Sequence, residues 1–371
     1  MGTHQKLNYI HLFRAFAILL IVAGHCFSSH QPLLEALSSS FLKDGTVLFV
    51  FIAGFLFQYL SDNFSYAPYL KKKFFNVVAP YLITSVVGIA AMILHPTSNP
   101  FAGANNAIQV FMFLTTGWVH NKPTWYIPMT CIFFIFAAVL LKLEKKVIFS
   151  KYSLLFLALP ALIVFSCVVP RFEANFFVPS GSDISAWESY IGYLKFILFS
   201  TFLFFPVYIL RMFVCEKRAY IYTLYKKRFW LWATFIGALI VSFASIYYQI
   251  LPGRLLLPKI LLTLLILGYL EHYENKISAH PRLNTFLGTI ATYSFSIFFL
   301  HYYFIIFLYQ ILQIFHWEVY LAAETFNFGV WLIYKGISFF VAFFGSLFLA
   351  MLIKKILEKC GIKHTRFFIG A

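Results

Sequence analysis

The stretch Leu12–Phe27 reads LFRAFAILLIVAGHCF. It is an apolar run interrupted near one end by Arg14 and near the other by His25, two residue types that are costly in hydrocarbon. They stand eleven positions apart. Eleven helical steps come to about 1100°, only ~20° past three full turns, so both side chains share one helix face. Along the axis they are roughly 16 Å apart. A guanidinium suits bidentate phosphate binding. A neutral imidazole is a good general base near physiological pH. One stripe thus grips a long substrate that carries phosphate at one end and a reactive group at the other.

The rest of the chain extends the apolar pattern. Of 371 residues, 61% are hydrophobic, 21% aromatic and only 11% charged, against roughly 25% charged in a soluble domain. Ten segments are long and apolar enough to span a bilayer: 9–28, 45–61, 75–95, 124–142, 152–170, 193–213, 229–250, 254–271, 287–313 and 329–353. The expected fold is all-α, a polytopic membrane protein of about ten transmembrane helices forming one domain over 1–371, with no separate soluble domain. Residues 105–117 are apolar but short and read as a re-entrant or interfacial helix. Pro252-Gly253 reads as a tight turn between neighbouring spans. The first run contains Arg14 and is followed by no small-residue cleavage site, so it is expected to stay in the mature chain.

A net charge of +16 would suggest nucleic acid in a soluble protein. Here the basic residues alternate with the spans instead. With the N-terminus in the cytoplasm, outer segments hold Lys43, Lys122, Arg171, Lys195, Arg254 and Lys259, and nearly all the others fall inside. The positive-inside rule therefore places both termini in the cytoplasm. No nucleic-acid partner is expected; the partner is the lipid bilayer. The five cysteines are scattered, with no CxxC or Cys/His cluster, so neither a disulfide framework nor a metal site is expected.

Further residues carry chemistry. His301 is a second intramembrane histidine, in ATYSFSIFFLHYYF. Lys71, Lys72 and Lys73 stand before a span that contains Pro80, where a kink is expected; they form an electrostatic landing site for phosphates. Gly54 in the second span permits close helix packing. Trp125 and Tyr126 sit between Pro123 and Pro128 at an outer helix entry. A carboxylate to orient His25 is sought in the first outer loop, at Glu35 or Asp44. GxSxG, P-loop and HExxH patterns are absent, and intramembrane carboxylates are scarce, which weakens a proton-coupled transporter reading.

Together these features resemble the acyltransferase-3 family of integral membrane acyltransferases. The Arg14/His25 spacing matches its Arg-x10-His signature. VFIAGFLF resembles its Phe-x-x-Ser-Gly-Phe element, with Ala53 where Ser is usual, and YLKKKFFNVVAPYL its basic-run-then-Pro element, with lysines where arginine is common. PTWYIP resembles its Trp-Phe/Tyr-Leu element, and the late span ends in Leu300-His301. The resemblance implies a ten-span fold and transfer of an acyl group from cytoplasmic acyl-CoA, usually acetyl-CoA, to an acceptor hydroxyl, often on a surface or lipid-linked carbohydrate. The expected location is a bacterial cytoplasmic (inner) membrane, and the chain looks like the stand-alone form.

On this reading His25 takes the proton of an acceptor hydroxyl, His301, Trp125 or Tyr126 positions groups or stabilises the oxyanion, and Arg14 with Lys71–Lys73 holds the CoA phosphates. The acceptor is a carbohydrate or glycolipid such as lipopolysaccharide or capsule. Other readings are a succinyl or other short acyl donor, a flippase of lipid-linked saccharides, and a non-catalytic partner in a polysaccharide assembly complex.

Overall fold

The computed structural model describes residues 7–119, 123–145, 164–165, 168–179, 184–322, 325–362 and 364–370. Every regular element among them is helical. Two compact units are formed, one from Met1–Leu60 with Arg211–Lys363, the other from Ser61–Leu210 with His364–Gly370.

The chain opens in the first unit with α1 (Asn8–Cys26), α2 (Pro32–Phe41) and α3 (Thr46–Tyr59). It passes through the second unit in α4 (Tyr66–Lys73), α5 (Ala79–Leu94), α6 (Asn106–Thr116), α7 (Tyr126–Lys145) and α8 (Ala186–Glu216), the last of which belongs to the first unit from Arg211 onward. It continues in the first with α9 (Tyr222–Lys226), α10 (Arg228–Tyr247), α11 (Leu257–Ser278), α12 (Pro281–Thr292), α13 (Ser294–Ile314), α14 (Phe328–Phe340) and α15 (Ser346–Lys359).

Among the described residues, seven stretches are long and apolar enough to cross a membrane: Asn8–Cys26, Pro32–Tyr59, Tyr66–Leu94, Ala186–Cys215, Arg228–Tyr247, Ser294–Ile314 and Phe328–Lys359. The protein is thus a multi-pass membrane protein. These seven coincide with seven of the ten expected spans. Of the other three, Tyr126–Lys142 is apolar but shorter. α11 has length enough at 22 residues, but Lys259, Glu271 and Glu274 lower its apolar character. The expected span over 152–170 lies mostly outside the described residues.

Local chemistry explains where the elements differ from the sequence pattern. The expected span 287–313 is two helices, with α12 ending and α13 beginning on either side of Tyr293. The connection at Pro252-Gly253 is a nine-residue loop between Tyr247 and Leu257 rather than a tight turn, and Gln249 in it has a positive φ of 53°. Where a kink is expected at Pro80, the structure has a π-helical turn over Phe74–Val78, ending two residues before the proline. A proline has no N–H to donate and crowds the preceding turn, and a widened turn accommodates both. The short apolar stretch is the 11-residue α6, opened by an Asn105 side-chain cap and closed by Gly117 at φ 66°.

In the first unit α1 is the central element, packed against α3, α11, α12, α13 and α14. Of its residues only Phe16 is exposed. Its first turn is anchored by Glu274, whose Oε1 accepts from the Tyr9 N–H at 3.1 Å, and by Asn8 Nδ2 donating to Ser278 Oγ at 3.2 Å. An orphan amide of the helix start is so satisfied. At the other end, glycines set the approach. A Cβ on Gly24 would lie 2.9 Å from the Leu42 carbonyl oxygen, and one on Gly45 would lie 2.9 Å from Ile21 Cγ1. The turn after α2 therefore touches α1 one residue before His25. Gly24→Ala is expected to cost about 1–3 kcal/mol by overpacking against backbone. A lowered melting temperature of the detergent-solubilised variant checks this; an unchanged one means the turn yields freely.

Candidate active site

Two helices of the first unit bring their histidines together. His25 sits in the last turn of α1 and His301 near the middle of α13. His301 Nε2 and His25 Nδ1 are 3.1 Å apart, within hydrogen-bond distance. The rings are tilted by 33° with centroids 5.1 Å apart. His301 Nδ1 donates to the Ile297 carbonyl one turn back, at 3.0 Å. Tyr302 meets both rings edge-on, at 6.5 Å from His25 and 6.4 Å from His301. His301 has no exposed surface, whereas His25 is half-buried. The pair thus has an inner member held by its own helix and an outer member that is partly exposed.

Arg14 is also half-buried and lies three turns away on the same stripe of α1. The stripe continues through Ile18, which is fully buried, and His11, whose Nε2 would lie 3.9 Å from a Cβ on Gly288 of α12. Beneath it, Phe13 packs on Phe51 of α3 at 5.6 Å, and the guanidinium of Arg211 covers Phe51 at 4.8 Å. Arg211 is fully buried and donates from Nη2 to the Val47 carbonyl at 2.8 Å.

The carboxylates expected to orient His25 are engaged elsewhere. Glu35 pairs with Lys43 and accepts from Ser39 Oγ at 2.7 Å and from the Ser29 N–H at 3.2 Å. Asp44 accepts from Arg254 Nε at 3.0 Å. Both are drawn to cations whose burial would otherwise be costly. A partner of His25 is a second imidazole, that of His301.

The other five sequence-chosen residues belong to the second unit. Lys71 and Lys72 are exposed at the end of α4, whereas Lys73 turns its ammonium over Phe134 at 4.7 Å and Tyr69 at 5.4 Å. Trp125 is 7% exposed, with the Arg171 guanidinium over its ring at 5.1 Å and Phe196 edge-on at 5.2 Å. Tyr126 is buried at the start of α7.

One feature of the first unit escaped the motif reading. Lys335 of α14 lies within an apolar run, its ammonium 5.3 Å from the Tyr334 ring. An intramembrane lysine is itself a functional signal. It fits no element of the resemblance and so drew no role. Trp331 of the same helix donates from Nε1 to the Ser28 carbonyl at 3.3 Å, which ties α14 to the segment just beyond α1.

Comparison with curated proteins and with solved structures gave no match. A family model, described as an acyltransferase domain, matches residues 7–355. That match runs from the start of α1 into α15 and includes Arg14, His25 and His301. With nearly the whole chain covered, the protein belongs to the acyltransferase-3 family and is a membrane acyltransferase.

Proposed function

We propose that the protein is an O-acetyltransferase that moves acetyl from cytoplasmic acetyl-CoA to a hydroxyl of a cell-surface or lipid-linked carbohydrate. It works in a bacterial cytoplasmic (inner) membrane with both termini in the cytoplasm. The observation that carries this reading is the contact between His25 and His301, on the helix stripe that also bears Arg14. His25 takes the acceptor's hydroxyl proton as the oxygen attacks the thioester carbon. The C–S bond breaks, and the CoA thiolate takes the proton back from His25. Oxygen ends acylated, sulfur ends as thiol, and His25 returns to its starting state.

Arg14 binds the donor's phosphates in this scheme. The thin pantetheine arm suits the roughly 16 Å between Arg14 and His25 along one helix. Proteoliposomes given labelled acetyl-CoA and a glycolipid acceptor test the reading. Acceptor labelling and CoA release are the expected results. Saccharide movement without acetyl-CoA would instead mark a carrier, and labelling only from succinyl-CoA would change the donor. In cells, deletion of the gene is expected to remove ~42 Da per acetylated site from a surface glycan, the mass of the transferred group.

Arg14→Met separates binding from chemistry. A charge-assisted hydrogen bond contributes roughly 1.5–3 kcal/mol, so the variant's KM for acetyl-CoA should rise by ~10–100-fold with kcat little changed. Steady-state kinetics over donor concentration check this. An unchanged KM would remove Arg14 from the phosphate site.

A further inference from the structure

We infer that His301 is a positioning residue that sets the tautomer of His25, occupying the place that a carboxylate holds in a Ser-His-Asp triad. The inference rests on the reading of His25 as the base and adds which of its nitrogens acts and why.

The reasoning is hydrogen-bond inventory. A carbonyl oxygen can only accept. The 3.0 Å contact from His301 Nδ1 to the Ile297 carbonyl therefore places a proton on Nδ1. In a neutral imidazole one nitrogen donates and the other accepts, so His301 Nε2 is the acceptor. The nitrogen 3.1 Å from it is His25 Nδ1, which must then be the donor. His25 carries its proton on Nδ1 and its lone pair on Nε2. One backbone carbonyl on α13 thus selects, through two rings, the basic nitrogen on α1.

The surroundings hold this arrangement. His301 is fully buried, so its ring has no water to trade its partners for. Tyr302 stands edge-on to both rings, and Phe298 lies against His301 at 6.3 Å. When His25 Nε2 takes the acceptor's proton, the Nδ1–H bond to His301 becomes charge-assisted and shortens. In a triad a carboxylate does this work, but here Glu35 and Asp44 are paired with Lys43 and Arg254. A neutral acceptor orients the base without adding a second charge to an apolar bundle.

The test is a set of three substitutions at His301 in the full-length protein, assayed in proteoliposomes for acetyl transfer beside His25→Ala. Glutamine places an amide oxygen near the position of Nε2 and accepts from His25 Nδ1. Asparagine places it near the position of Nδ1, one bond too short, and leucine supplies no acceptor. His301→Leu and His301→Asn are expected to lose ~10²-fold in kcat, the scale of a misassigned or misoriented base, with KM for acetyl-CoA unchanged. His301→Gln is expected to recover most of that loss.

Equal activity of the Gln and Asn variants overturns the inference even if the Leu variant does not fold, since both are polar and fit the site. Full activity of a folded His301→Leu overturns it as well. If His25→Ala abolishes transfer in those cases, the base survives and only the relay is lost. If His25→Ala remains active, the reading of the base fails first.

Discussion

His25→Ala should lower kcat for acyl transfer by ~10³-fold or more, at the upper part of the range for a positioned acid–base group. Each factor of ten is about 1.4 kcal/mol of transition-state stabilisation, so the expected loss is about 4 kcal/mol. Donor binding should remain measurable, because the phosphate grip is assigned to Arg14, three turns along the same helix. The fold should also survive. His25 is half-buried in the last turn of α1, and removing a partly exposed ring at a helix end opens a smaller cavity than truncating a core side chain. The measurement is single-turnover transfer from labelled acetyl-CoA, with donor affinity taken separately by equilibrium binding. Retained transfer at the wild-type rate removes His25 from the chemistry. A parallel loss of donor binding makes it a binding residue instead.

How much of this was legible in the sequence depends on whether the signal was local. The Arg14/His25 stripe was legible because helical spacing is a property of one segment, and α1 forms over Asn8–Cys26 as that spacing requires. The disturbance before Pro80 was legible for the same reason, since proline perturbs its own preceding turn. The pairing of His25 with His301 was not, because it joins residues 276 positions apart. Histidine type and an apolar context marked each of them, and nothing local joined them.

The misplaced orienting carboxylates fail for a related reason. Glu35 and Asp44 lie in the segment that follows α1, which made them candidates by topology. Their cations decide otherwise, and Arg254 is 210 positions from Asp44. The break at Tyr293 also left no mark. The stretch TIATYSFSI continues the apolar pattern with neither proline nor glycine, so periodicity runs through the point where α12 ends and α13 starts. Arg211 and Lys259 were counted with the charges that fix orientation, because a cation near the end of an apolar run usually reaches water. The structure buries both, at 0% and 2% exposure, and turns each onto backbone carbonyls.

Lys259→Met should be the most destabilising conservative change in the first unit. The lysine Nζ donates to the carbonyls of Ser40 at 2.9 Å and Phe41 at 2.7 Å, the last two residues of α2. A helix end leaves such carbonyls without intrahelical donors. The neighbouring Ser38 carbonyl is already met by the N–H groups of Leu42 and Lys43. Methionine keeps the length and bulk of the lysine stem, so it leaves little cavity, and the Asp44–Arg254 pair remains balanced in charge. What is lost is the pair of hydrogen bonds. Each buried carbonyl left unsatisfied costs ~1–3 kcal/mol, so the expected loss is about 2–6 kcal/mol, a large share of the ~5–15 kcal/mol that holds a typical fold. Thermal unfolding followed by tryptophan fluorescence in detergent measures it, and an unchanged midpoint would mean that the carbonyls find other donors. The consequence reaches the site, because the residues that follow α2 are those that press on α1. Leu42 meets Gly24 and Gly45 meets Ile21, so a frayed end of α2 frees the turn of α1 that carries His25. Transfer by Lys259→Met should therefore fall through kcat even at temperatures where the variant stays folded, whereas a defect confined to the midpoint would show that α2 supports the fold without steering the base.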